Sequence, residues 1–171
     1  MTLTPRTFLA VVLLALLSGD AVSEAVLNDG VAVEVRVVKS GLRPSSRDVF
    51  ELTLRNASRD SVTVYGNLRR GLLLEIRDRQ GREAVPVANF EELGPPPPTA
   101  LTDFVVLQSG HALSLLDERS LADLGVNGAG EYAVRVGYWH VVREARGRPY
   151  VALASEPRWS AVTKFSVGDG K

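Results

Sequence analysis

The chain has 171 residues, 45% of them apolar and 23% charged, a make-up that suits a folded globular protein and excludes a wholly disordered one. Twenty basic residues balance 20 acidic ones, so no net basic field marks it as a nucleic-acid or anionic-membrane binder. Cysteine is absent, which excludes structural disulfides, thiolate zinc sites and cysteine nucleophiles.

In chain order, the first segment reads as an address. Arg6 supplies a positive start, and Phe8 to Leu17 is an unbroken run of ten apolar residues that Ser18, Gly19 and Asp20 end. Small residues then stand at Ser23 and Ala25, or at Gly19 and Ala21, as a signal peptidase requires. We expect residues 1–25 to be a signal peptide, cleaved after Ala25 with Ala21 as the alternative. Ten apolar residues are too few to cross a bilayer, which takes about 20. No cysteine follows the run, so a lipid anchor of the bacterial lipoprotein type is excluded. The expectation is a single exported domain over residues 26–171, soluble in the periplasm or outside the cell, with no later membrane span.

The mature part is dominated by a period of two. Val31, Val33, Val35 and Val37 alternate with Ala32, Glu34, Arg36 and Val38; Phe50, Leu52 and Leu54 alternate with Glu51, Thr53 and Arg55. Successive side chains on a strand point to opposite faces, so each run predicts a half-buried strand. Val62 and Val64 predict a third strand, and Leu72, Leu74 and Ile76 a fourth, with Leu73, Glu75 and Arg77 outward. Asp78 to Gly81 is a turn, with a brief strand expected at Val85 and Val87. Strands are expected around Val105 and Leu107, and around Leu113 and Leu115. Ser120 and Asp123 have the spacing of a capping box and predict one short helical turn near residues 120–124. Tyr132, Val134, Val136 and Tyr138 form the clearest inward set. Arg146 to Pro149 is the expected tip of a hairpin leading into Tyr150–Ser155, and the last strand is expected over Trp159–Val167. The fold class is therefore all-β, an antiparallel sandwich of about 7–9 strands.

Gly128-Ala129-Gly130-Glu131-Tyr132-Ala133-Val134-Arg135-Val136 resembles the entry to strand F of immunoglobulin-like domains, and Trp159 to Val167 resembles their last strand. The resemblance implies an immunoglobulin-like sandwich in which the Tyr132 hydroxyl caps backbone at the corner while its ring joins the core. Val134 stands where antibody domains carry a cysteine, so the likeness is to cysteine-free bacterial domains of exported proteins. A distant similarity to the bacterial proteinase-inhibitor sandwich family comes with no inhibitory motif. Such architectures host many unrelated functions.

No catalytic constellation is legible, and neither a cofactor nor a metal is expected. His111 and His140 lie 29 residues apart, without the short ligand spacing of a zinc site. Ser109-Gly110-His111 lacks the glycine before a nucleophilic serine. Glu91-Glu92 and Asp117-Glu118 are sequence neighbours whose side chains diverge on a strand or loop. The glycines at 125, 128 and 130 precede a strand, not the helix start that binds phosphate. Asn56-Ala57-Ser58 matches a glycosylation sequon, read as coincidental.

Two segments are candidate interaction surfaces. Ala88–Thr102 carries Phe90 and the run Pro95–Pro98. The hairpin over Trp139–Arg158 interleaves Trp139, His140, Arg143, Arg146, Arg148 and Tyr150, the residue types enriched at protein interfaces. The expected function is a non-enzymatic exported module that binds a protein or an envelope polymer. Its rivals are a proteinase inhibitor presenting Ala88–Thr102, and a hydrolase in which His111 or His140 meets a carboxylate and a serine in one cleft.

Overall fold

The computed structural model describes residues 30–84 and 103–169; the expected signal peptide, the Val85/Val87 strand and the Ala88–Thr102 segment lie outside them. The described residues form β1 (Val31–Val37), β2 (Phe50–Asn56), β3 (Val62–Tyr65), a single-turn helix α1 (Leu68–Gly71), β4 (Leu72–Asp78), β5 (Phe104–Leu107), β6 (Ala112–Leu116), β7 (Gly130–Ala145), β8 (Arg148–Trp159) and β9 (Thr163–Val167). The protein is mostly β, and all strand-to-strand ladders among the described residues are antiparallel. None of its described helices is long and apolar enough to cross a membrane.

One sheet has the order β1-β2-β6; in the other, β7 is flanked by β4 on one side and by β8 and β9 on the other. The period-two runs account for the packing. Val33 and Val35 of β1, Phe50 and Leu54 of β2, Val134 and Val136 of β7, and Phe165 and Val167 of β9 join one buried cluster. Phe50 meets Phe165 edge to face, ring centroids 5.3 Å apart. Burying each such side chain is worth about 1.5–3 kcal/mol. On the opposite face of β1 and β2 the alternation leaves polar pairs. Arg36 lies across from Glu51 at 2.6 Å, Arg55 meets Glu34 at 2.5 Å, and the Thr53 and Ser114 hydroxyls are 2.9 Å apart. Such exposed pairs add about 0.2–1 kcal/mol each.

β4 departs from the expected alternation. Leu73 and Glu75 were expected to face outward, yet both are buried. Glu75 is covered because Arg135, directly across on β7, donates to it at 2.6 Å while Arg77 donates from its own strand. The Arg135 guanidinium also lies 4.2 Å from the ring centroid of Trp159. Burial alone would raise the Glu75 carboxyl, but the two guanidiniums bonded to it hold it below the usual carboxylate range. Trp159 can lie flat on β7 because residue 137 is glycine; a Cβ there would come within 3.0 Å of the indole.

β2 leads through residues 57–61 into β3, and β5 through residues 108–111 into β6. Asn56 sits at the bend, fully buried. Its Nδ2 donates to the carbonyls of Asp60 (2.7 Å) and Leu107 (2.9 Å), and its Oδ1 accepts from the Ser58 N–H and Ser58 hydroxyl. The Asn56 backbone bonds across to His111 and Gly110. The sequon asparagine is thus a buried pin, with no room for a glycan on its amide. Beyond it, β3 and β5 pair from Val62↔Leu107 to Tyr65↔Phe104.

β7 and β8 make a long hairpin. Its tip is Arg146-Gly147, both at positive φ (54° and 71°) between the paired Ala145 and Arg148, the conformation of a type I′ turn. The expected final strand is split: β8 ends at Trp159 and β9 starts at Thr163, because Ser160 leaves the ladder to hold Val136 by its N–H and hydroxyl. The Tyr132 hydroxyl donates to the Gly128 carbonyl at 3.0 Å, and its ring stacks on Phe165. Ser120 and Asp123 exchange hydrogen bonds in both directions, and Leu124 N–H closes the turn on the Ser120 carbonyl. The regular helix is instead α1, whose N-cap Asn67 makes no side-chain capping hydrogen bond.

Candidate functional site

β4 pairs with β7 only as far as Leu72↔Tyr138, whereas β7 runs on to Ala145. From Trp139 onward β7 keeps β8 on one edge and has no strand on the other among the described residues. β3 likewise pairs on one side, with β5. These two edges border an open groove of about 770 Å³. Val62, Thr63, Val64 and Val106 line one wall and Val141–Glu144 the other, with Val31, Tyr138 and His140 also reaching it.

An aromatic cluster sets the spacing of the two walls. Tyr65, at the end of β3, is fully buried and stacks on His140 with centroids 4.9 Å apart. The Tyr65 N–H donates to the Tyr138 hydroxyl at 3.0 Å, which ties β3 to β7. Burial pushes the Tyr138 phenol up to about 12, the Tyr65 N–H and Arg158 opposing it. Gly71, closing α1, admits the cluster: a Cβ there would lie 3.3 Å from the Tyr138 ring and 3.6 Å from His140 Nδ1.

His140 is buried, and its Nδ1 has no hydrogen-bond partner among the described residues. Burial lowers its pKa from the ordinary value; the Gly71 backbone beside the ring opposes this without a well-formed hydrogen bond. A depressed histidine favours the fold while neutral. Above pH about 6.5 neither state is charged and the group is silent. As pH falls below that, the unfolded chain takes up a proton that the folded chain resists, so stability is lost. A thermal melt series from pH 7.5 to 5 should show Tm falling on the acid side, and His140→Phe should remove that part of the slope. An unchanged slope in the variant would assign the acid loss to other groups.

The expected hairpin surface is redistributed. Arg143, Arg146, Arg148 and Tyr150 are exposed. His140 is not on that surface, since it continues the inward set of Tyr132, Val134, Val136 and Tyr138 and packs on Tyr65. Trp139 is half-buried, and its indole N–H donates to the Ala154 carbonyl at 2.6 Å. It stands alone opposite Ala154, Ser155, Glu156 and Pro157, a wide bulge that the indole pins. Phe90 lies outside the described residues. The β7 edge, Val141–Glu144, falls within the expected hairpin surface and includes Arg143, whereas the β3 edge, Val62–Val64, has no signal in the sequence, because alternation shows which face a side chain takes and not which strand lacks a neighbour.

Chemically, the groove offers apolar contact, backbone hydrogen-bonding edges and a few charges. Thr63 carries its one aliphatic hydroxyl among the described residues, and no serine lines it. His111 is exposed, in the turn between β5 and β6. Among the described residues no group of three or more His, Asp or Glu is placed to hold a metal ion. The chain matches no protein-family model, and no curated protein resembles it in sequence.

Proposed function

We propose that this chain is an exported, non-enzymatic module of the immunoglobulin-like sandwich class that holds a partner in the groove between β3 and the β7–β8 hairpin. The strand order supports the class: β1, β2 and β6 stand as strands A, B and E, and β4, β7 and β8/β9 as C, F and G. The Tyr132-to-Gly128 hydrogen bond at the turn before β7 fits the tyrosine corner of such domains. The apolar run and small-residue sites of residues 1–25 support export.

One observation carries the functional reading: two strand edges without a pairing strand among the described residues border the same groove. Proteins ordinarily cover or blunt such edges, so a pair of them facing an apolar groove is a surface kept open for a partner. The partner is a protein or an envelope polymer. Binding is favoured over hydrolysis because His140 is packed among aromatic rings and no serine shares its groove among the described residues. A photo-crosslinking amino acid in place of Val106 or of Arg143 should give one dominant adduct in the exporting host. The same amino acid in place of Lys39 or Lys164, both exposed and away from the groove, should not. Adducts from the control positions alone, from all positions equally, or from none would overturn the proposal.

A further inference from the structure

We infer that the groove's occupant is an extended peptide, apolar on alternate residues and acidic between them, that adds as a strand between β3 and the free edge of β7. This rests on the groove being the binding site, and it narrows the partner to one chemistry.

Geometry comes first. Consecutive residues alternate between the two faces of a strand, so a pocket lying on a sheet face is lined by every second residue. Here Val62, Thr63 and Val64 line the groove in succession, and so do Val141, Val142, Arg143 and Glu144. Runs of consecutive residues reach a groove when it follows the strand's edge, where backbone N–H and C=O groups are presented. A peptide entering such a gap gains main-chain hydrogen bonds from the edges and specificity from pockets for its alternate side chains. β3 holds no proline and no charge to repel it; its sequence is Val62-Thr63-Val64-Tyr65.

Side-chain chemistry decides the kind of peptide. Val62, Val64, Val106 and Val142 make the lining apolar, and Val106 is 57% exposed with nothing over it among the described residues. Arg143 lies on the wall, and Arg146 and Arg148 stand at the hairpin tip beyond it. None of the three has an ion pair among the described residues. Glu144 is the one carboxylate on the groove lining among the described residues. The surplus of arginine complements acidic side chains. A polysaccharide would be served poorly, since the walls offer it few polar side chains.

The test uses the mature chain and peptides of about ten residues, a full strand's length. One alternates valine with glutamate, a second valine with lysine, and a third is the glutamate peptide N-methylated at alternate backbone nitrogens. At millimolar concentration the glutamate peptide should shift the amide NMR signals of Val62–Tyr65 and Trp139–Ala145. The N-methylated peptide should bind about tenfold more weakly or worse, because alternate nitrogens face one edge and the ladder on that side is lost. The lysine peptide should bind about tenfold more weakly or worse. A chain carrying Arg143→Glu, Arg146→Glu and Arg148→Glu, all exposed, should reverse that preference while keeping its fold. Equal binding of the N-methylated peptide, shifts elsewhere on the protein, or no charge preference would overturn strand addition. Crosslinks at Val106 and Arg143 to a host partner, without binding of the glutamate peptide, would sink this inference and leave the binding-module proposal standing. Failure of both experiments would remove both.

Discussion

Asn56→Ala is expected to destabilise the fold by about 3–4 kcal/mol, among the largest effects available to one substitution here. The amide makes four hydrogen bonds inside a site with no access to water. Alanine removes all of them and leaves the Leu107 carbonyl and Ser58 N–H without those partners. A buried polar group so orphaned costs about 1–3 kcal/mol. Tm should fall by roughly 10 °C in a domain of this size. Asn56→Asp should also destabilise, since the acid keeps the acceptor for Ser58 but loses both donors and places a charge in the interior. Denaturant titration of both variants checks this. A change within about 0.5 kcal/mol, the ordinary range for surface sites, would show that the bend does not depend on the amide.

Tyr65→Ala is the second large effect, expected to cost about 3–5 kcal/mol. Its ring is buried between Phe104 and His140, at 6.5 Å and 4.9 Å centroid separations. Truncation leaves a cavity among aromatic groups that α1 and β7 cannot close without moving. The consequence reaches the groove, because Tyr65 is where β3 meets β7. Chemical denaturation should show the loss, and His140 should then titrate closer to its ordinary value as water enters. A loss under about 1.5 kcal/mol, the cost of a tolerated repacking, would mean that the cluster does not set the spacing of the walls.

Much of the fold is legible from alternation. Val31 to Val37 and Phe50 to Leu54 pair in the register their inward faces require, Val35 opposite Leu52 and Val33 opposite Leu54. The capping spacing of Ser120 and Asp123 and the Arg146-Gly147 tip are also local signals, and local geometry honours them. Glu75 was not legible, because the residue that buries it, Arg135, lies 60 positions away and is brought opposite only by sheet pairing. Asn56 carried a short-range clue, an asparagine followed two residues later by serine, the pattern in which the side chain caps the Ser58 N–H.

The candidate site was half legible. The hairpin with Arg143, Arg146, Arg148 and Tyr150 stood out by composition, and those side chains are exposed. His140 belonged to the inward set by parity with Tyr138, a signal that the aromatic and arginine composition of the hairpin overrode. The groove itself depends on where β4 stops at Leu72 and where β3 lies relative to β7. Neither is a property of any one segment, so no pattern within a strand reports it.

The most direct measurement of the central claim is residue-resolved amide hydrogen exchange on the mature chain, alone and saturated with the partner captured through Val106 or Arg143. A partner seated in the groove should slow exchange at Val62–Tyr65 and Trp139–Ala145 and leave the outer edges of β1 and β6 unchanged. Slowing confined to β1, β6 or the turn at Asp78–Arg82, with the groove edges exchanging as before, would contradict it.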